Sequence, residues 1–174
     1  MQLSIFDAKP FGGVVSGGEG RKLAEARAEV EAGRAEGIEC PCCEQFCRIY
    51  RRKLNNEMAR WLIWLVRQGS GWVDVKKSNV RGGDYGKLIH WQLVEQKRNA
   101  DTAKRTSGLW RHTQAGADFA HGRSRVPSHV FIYNNAPVGF SDLTIDIREA
   151  LGRGFDYADL MRVAEYPDRQ HLQT

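Results

Sequence analysis

The chain has 174 residues, 41% of them hydrophobic and 27% charged, with 26 Lys or Arg against 21 Asp or Glu for a net charge of +5. This apolar content supports a core, and the negative mean hydropathy fits a soluble chain of one ordinary domain with appended structure. The longest apolar run, Trp61 to Val66, sits between Arg60 and Arg67 and falls far short of the roughly 18 residues that cross a bilayer, which excludes membrane-spanning classes.

Residues 1–20 read as a loose arm, broken by Gly12, Gly13, Gly17, Gly18 and Gly20. No basic start with an apolar stretch follows Met1, so no signal peptide is expected, and the cytoplasm is the expected compartment. Ala, Glu and Arg, all strong helix formers, fill 21–36, which predicts a helix ended by Gly37. All four cysteines then fall within Cys40-Pro41-Cys42-Cys43 and Cys47. A secreted disulfide framework would scatter them, so reduced thiols are expected. The C-x2-C spacing resembles half a zinc knuckle, making Cys40, Cys42, Cys43 and Cys47 candidate zinc ligands, with Cys47 one helical turn beyond Cys43. A distant histidine (His90, His112, His121 or His129) is the other source of a ligand. The alternative is that Cys43 and Cys47 are small buried residues on a helix face.

Phe46, Tyr50, Leu54, Met58, Trp61, Leu62 and Leu65 recur at spacings of three and four. They predict a helix over 44–68, with a break at Asn55-Asn56 and with Arg48, Arg51, Arg52 and Arg60 on its polar side. Trp72 to Val75 alternates like a short strand, 76–83 reads as a loop, and Asp84 is placed to cap a helix through Trp91 that buries Tyr85, Leu88 and Trp91. A strand is expected from Leu93, a basic tip over 96–106, and a second strand at Leu109–His112. Thr113 is placed to cap a helix to Ala120. A hairpin is expected from Val130–Tyr133 and Val138–Phe140 across an Asn-Asn turn, and helical segments at 148–151 and 156–163, with the end frayed after Pro167. The expected divisions are 1–20, 21–47, 48–125 and 126–174, and the expected class is α+β.

Between Arg48 and Arg125 there are 17 Lys or Arg and six Asp or Glu, a net of +11, while the rest of the chain holds nine basic and 15 acidic residues. Concentrated positive charge is the footprint of a phosphate-binding surface. The segment from Asn55 to Thr113 resembles the winged helix-turn-helix superfamily: a long helix, a short strand, a second helix and a two-stranded wing. The string "GLWRHTQAGADF" is similar to the closure of such domains, with Thr113 capping the next helix and Gly116 allowing close packing. The whole also resembles small DNA-binding proteins encoded by bacteriophages. The resemblance implies a winged-helix core with an N-terminal helix, the cysteine knuckle and a C-terminal α/β extension. It implies that duplex DNA is the partner and that the factor is a regulatory or genome-maintenance one, with Lys87 and His90 on a recognition helix. Phosphate contacts are expected from Arg81, Lys97, Arg98, Lys104, Arg105 and Arg111. The recognition helix carries no Arg, Asn or Gln fork at its centre, and Gly82-Gly83 precede it, which favours phosphate binding over base reading.

The alternative is a protein-interaction module, using the same scaffold and its acidic flanks to dock on a host or replication protein as an inhibitor. The oligomeric state is left open, a homodimer included. No P-loop, dinucleotide fingerprint, H-E-x-x-H or G-x-S-x-G is present, and His112 with Asp118 or His121 with Asp146 are isolated pairs, so no enzyme activity is expected.

Overall fold

The computed structural model describes residues 22–78, 83–100 and 106–162. The chain divides into two compact units, 1–48 and 49–174.

In the first unit, helix α1 (Leu23–Gly33) buries Ala26 and Val30, and a hairpin of β1 (Ile38–Glu39) and β2 (Phe46–Cys47) follows. The sparse apolar positions of α1 give it a narrow buried stripe, and the helix stops before the predicted end at 36. Gly37 adopts φ +105°, and a Cβ there would lie 2.4 Å from the Phe46 ring, so both conformation and space require glycine.

The second unit begins with β3 (Tyr50–Lys53), then α2 (Asn56–Arg67). The helix predicted over 44–68 is therefore corrected: only its second half is helical. Phe46, Tyr50 and Leu54 are each four apart, a spacing that satisfies the period of a strand as well as that of a helix. Asn55 then caps α2, its side chain accepting from the Met58 N–H at 3.0 Å. Every residue from Met58 to Val66 is buried. Arg60, expected on the polar side, is only 1% exposed; it pairs with Glu57 at 3.1 Å and stacks 4.6 Å over Phe155.

After α2 come β4 (Val73–Asp74), a short 3-10 turn at Val75–Ser78 and a 3-10 helix at Asp84–Trp91. The α-helix expected at 84–91 is thus a tighter 3-10 helix, and Asp84 is its first residue with Gly83 in the capping position. Its buried side, Tyr85, Leu88 and Trp91, repeats every three residues, the spacing that aligns side chains along a 3-10 helix. Strands β5 (Val94–Gln96) and β6 (Leu109–His112) form a hairpin, and β4 joins its other side, giving the order β4-β6-β5. Trp110 packs edge-on to Trp61 at 5.9 Å and to Tyr85 at 5.6 Å.

Helix α3 (Gln114–Ala120) is capped by Thr113, whose hydroxyl accepts from the Gly116 N–H at 3.0 Å and donates to the Gln92 carbonyl at 2.7 Å. A Cβ on Gly116 would stand 2.0 Å from the Leu93 carbonyl oxygen, so the helix lies directly on that backbone. Beyond α3, β7 (Val126–Pro127) pairs with β10 (Thr144–Ile145). Strand β8 (His129–Tyr133) sits between β3 and β9 (Ala136–Phe140). Helices α4 (Ile147–Leu151) and α5 (Tyr157–Arg162) close the described chain. Val130, Ile147, Ala150, Leu151 and Leu160 belong to the same core as α2, so the described residues 126–162 contribute to this core. No helix among the described residues is long and apolar enough to cross a membrane.

Candidate nucleic-acid interface

The residues expected to meet phosphate divide into three groups. Arg81, Lys104 and Arg105 lie outside the described residues. Lys97 and Arg98 are exposed at the start of the β5–β6 connection. The backbone beneath them is fixed: the Lys97 N–H donates to the Leu109 carbonyl at 2.9 Å, and Ser107 donates to the Lys97 carbonyl at 2.6 Å. Lys87 and Arg111 are already engaged with carboxylates. Lys87 pairs with Asp84 one 3-10 turn earlier. Arg111 stands opposite Glu95 in the hairpin, donates to it at 2.9 Å and 2.8 Å, and lies 4.5 Å over the Trp72 ring.

His90, partly buried, is held below the usual imidazole range, first by burial and then by the Lys87 charge. Both effects disfavour its charged form. Asp84 is held below the usual carboxylate range. The hydrogen bond from Lys87 is the largest cause, followed by the Lys87 charge, the Asn55 side chain and the charge of Arg52.

Strand β3 was not singled out by sequence reasoning, because its residues were read as the polar side of a helix. All four of Tyr50, Arg51, Arg52 and Lys53 are exposed. Arg52 lies 5.5 Å over Tyr50, and Arg51 approaches His129 Nδ1 at 3.5 Å. Among the described residues none of the three cations is within ion-pair distance of a carboxylate. The available signal was the run of three basic residues with no acid between Arg48 and Asn56.

The cysteines sit on the β1–β2 hairpin. Cys40, Cys42 and Cys43 form its turn and Cys47 lies on β2, so the helical spacing expected for Cys43 and Cys47 does not occur. The turn is closed by Cys40 N–H to the Gln45 carbonyl and Glu44 N–H to the Cys40 carbonyl, both at 2.8 Å. All four thiols are free. Cys40 is held below the ordinary thiol range, chiefly by the backbone N–H groups of Cys42 and then Cys43. Cys43 is affected first by the Gln45 backbone, which favours its thiolate, but the Cys40 thiol, burial and the charges of Cys40 and Cys47 together push it up. Among the described residues no group of three or more His, Cys, Asp or Glu side chains is placed to hold a metal ion. No protein-family model, curated protein or solved structure matches the chain.

Proposed function

We propose that this is a DNA-binding protein of winged-helix type that holds duplex DNA through its basic surface and reads phosphate more than bases. The carrying observation is the order of elements in the second unit: α2, β4, the 3-10 helix and the β5–β6 hairpin, with β6 central in the sheet. What supports the reading is that the Asp84–Trp91 helix directly precedes the hairpin and that Lys97-Arg98 stand exposed at the start of its connection. The Thr113 cap and the Gly116 contact fall where the resemblance implies them.

A 3-10 helix of eight residues, whose one lysine is engaged and whose histidine is partly buried, offers little for base edges. Binding of this kind is driven by counterion release and weakens steeply with salt. The test is duplex binding by fluorescence anisotropy with the wild-type chain and with Lys97→Ala/Arg98→Ala. Affinity roughly tenfold lower in the double variant, with a salt slope shallower by about two, supports the reading, because each lost phosphate contact removes close to one unit of slope. An unchanged affinity and slope overturns it. The second reading, a scaffold that docks on another protein, draws on the acidic balance outside 48–125. It gains if no duplex is bound at about 50 mM salt, where even non-specific binders hold DNA.

A further inference from the structure

The sheet β3-β8-β9 has two faces, and alternation along β8 tells them apart. Val130 is fully buried and Ile132 packs against the core. His129, Phe131 and Tyr133 therefore point the other way, and Phe131 is not part of the core among the described residues. On β3, Arg51 is the register partner of Phe131 and Lys53 that of His129, so both cations share this outer face, whereas Arg52 pairs with Val130 and projects from the opposite one. On the far side of Phe131 the partner is Gly139. A Cβ there would sit 3.5 Å from the Phe131 ring, so the half-buried ring rests against the glycine with no side chain of that residue beside it.

The three strands contain no Asp or Glu: their sequences are Tyr-Arg-Arg-Lys, His-Val-Phe-Ile-Tyr and Ala-Pro-Val-Gly-Phe. An aromatic ring therefore lies beside two cations with no acid anywhere in the sheet. At a strand spacing of about 4.8 Å the face is roughly 10 Å wide, enough to seat unpaired bases beside their phosphates.

We infer that the outer face of β3-β8-β9 binds an unpaired nucleic-acid strand, with a base stacked on Phe131 and the adjoining phosphates held by Arg51 and Lys53. The occupant follows from the combination. Cations alone would suit any polyanion, and an apolar ring alone would suit many partners. A flat ring flanked by cations suits a chain in which flat bases alternate with phosphates. A duplex gains nothing from Phe131, because its bases are already stacked inside. This site stands apart from the duplex reading, since it uses the opposite face of β3 from Arg52 and none of Lys87, Lys97 or Arg98.

The positive field is already felt within the sheet. His129 is held below the usual imidazole range by burial first, then by Arg51 and Lys53, while Ser128 Oγ lies 2.8 Å from its Nδ1. A phosphate settling between Arg51 and Lys53 would offset those charges.

The probes are a fluorescein-labelled oligothymidine, an abasic strand of equal length and a duplex, all at low salt. Phe131→Leu keeps an apolar residue that strands accept. Loss of one stacked base costs about five-fold or more, so it weakens oligothymidine at least five-fold while abasic-strand and duplex affinities stay within two-fold. Arg51→Ala/Lys53→Ala weakens both single strands. The proposal is overturned if Phe131→Leu leaves oligothymidine binding intact, or weakens the duplex as much as the single strand. A second measurement needs no substitution: proton NMR of His129 in the wild-type chain shows its titration midpoint rising on addition of oligothymidine. A midpoint that stays put at saturating oligothymidine overturns the proposal, whatever the variants do. Duplex binding that fails while this site holds would remove the winged-helix reading alone.

Discussion

The two three-stranded sheets of the second unit are alike in plan, each antiparallel around a central strand, but they treat charge differently. In β4-β6-β5 the cation is answered within the sheet: Arg111 meets Glu95 across the hairpin and covers Trp72. In β3-β8-β9 no strand carries a carboxylate to answer Arg51 or Lys53, and Arg52 meets only the charge of Asp84 from outside the sheet. The first sheet is also bolted to its surroundings by α3 lying on the Leu93 backbone, while the second presents an aromatic ring beside a glycine. Net charge along a stretch of chain therefore overstates what is available to a ligand, and strand register decides which cations remain to be used.

The largest expected effect separates the sheets by packing. Gly116→Ala forces a methyl to within 2.0 Å of the Leu93 oxygen and should cost about 3 kcal/mol of stability by urea denaturation. Gly139→Ala, whose methyl meets only the Phe131 ring at 3.5 Å, should change stability by less than about 1 kcal/mol. Equal losses would break the contrast. Removing the Thr113 hydroxyl with Thr113→Ala should cost about 1 kcal/mol, since the cap and the bond to Gln92 go together. Next comes binding. Arg51→Ala/Lys53→Ala should lower affinity for oligothymidine by at least tenfold, while Arg111→Ala stays within about two-fold; the reverse order would place the cations that hold a single strand on the wrong sheet. Glu95→Gln sharpens the same point, since releasing Arg111 should raise duplex affinity a few-fold.

The smallest effect concerns pH. His90 and His129 both have folded pKa values below the unfolded value of about 6.5. The unfolded chain then binds more protons as pH falls through that range, so their contribution is full above about pH 6.5 and is lost as pH falls through the folded values. The urea midpoint should drop between pH 7 and pH 5, and His90→Gln/His129→Gln should shrink the drop. Asp84 and Asp118, whose values are also lowered, act only near pH 4 and below, outside this window. A drop unchanged in the double variant would assign it to other groups.

Much of this was legible before the structure. The run from Met58 to Leu65 was legible as a helix, though one with Arg60 on a polar side, Thr113 announced its own cap, and the Asn134-Asn135 turn announced its hairpin, with both asparagines at positive φ. The spacing of Tyr85, Leu88 and Trp91 by threes even carried the 3-10 geometry. Strand β3 was hidden because its partner β8 lies 78 residues away in sequence and its spacing of four from Phe46 to Leu54 fits two periods. The engagement of Arg111 was hidden because it depends on the register of the β5–β6 hairpin, which the long connection leaves undetermined. The cysteines were misplaced for the same reason as β3: once Phe46 and Cys47 pair back on Ile38 and Glu39, no helical turn remains to bring Cys43 and Cys47 together.

The central claim is that the basic surface of this chain binds duplex DNA by its phosphates. The most direct test is the anisotropy of a labelled duplex titrated with the full chain over a series of salt concentrations. The account predicts binding at about 50 mM salt, little dependence on DNA sequence, and a log affinity that falls linearly with log salt at a slope of about −3 or steeper. No binding at that salt, or an affinity indifferent to salt, would contradict it.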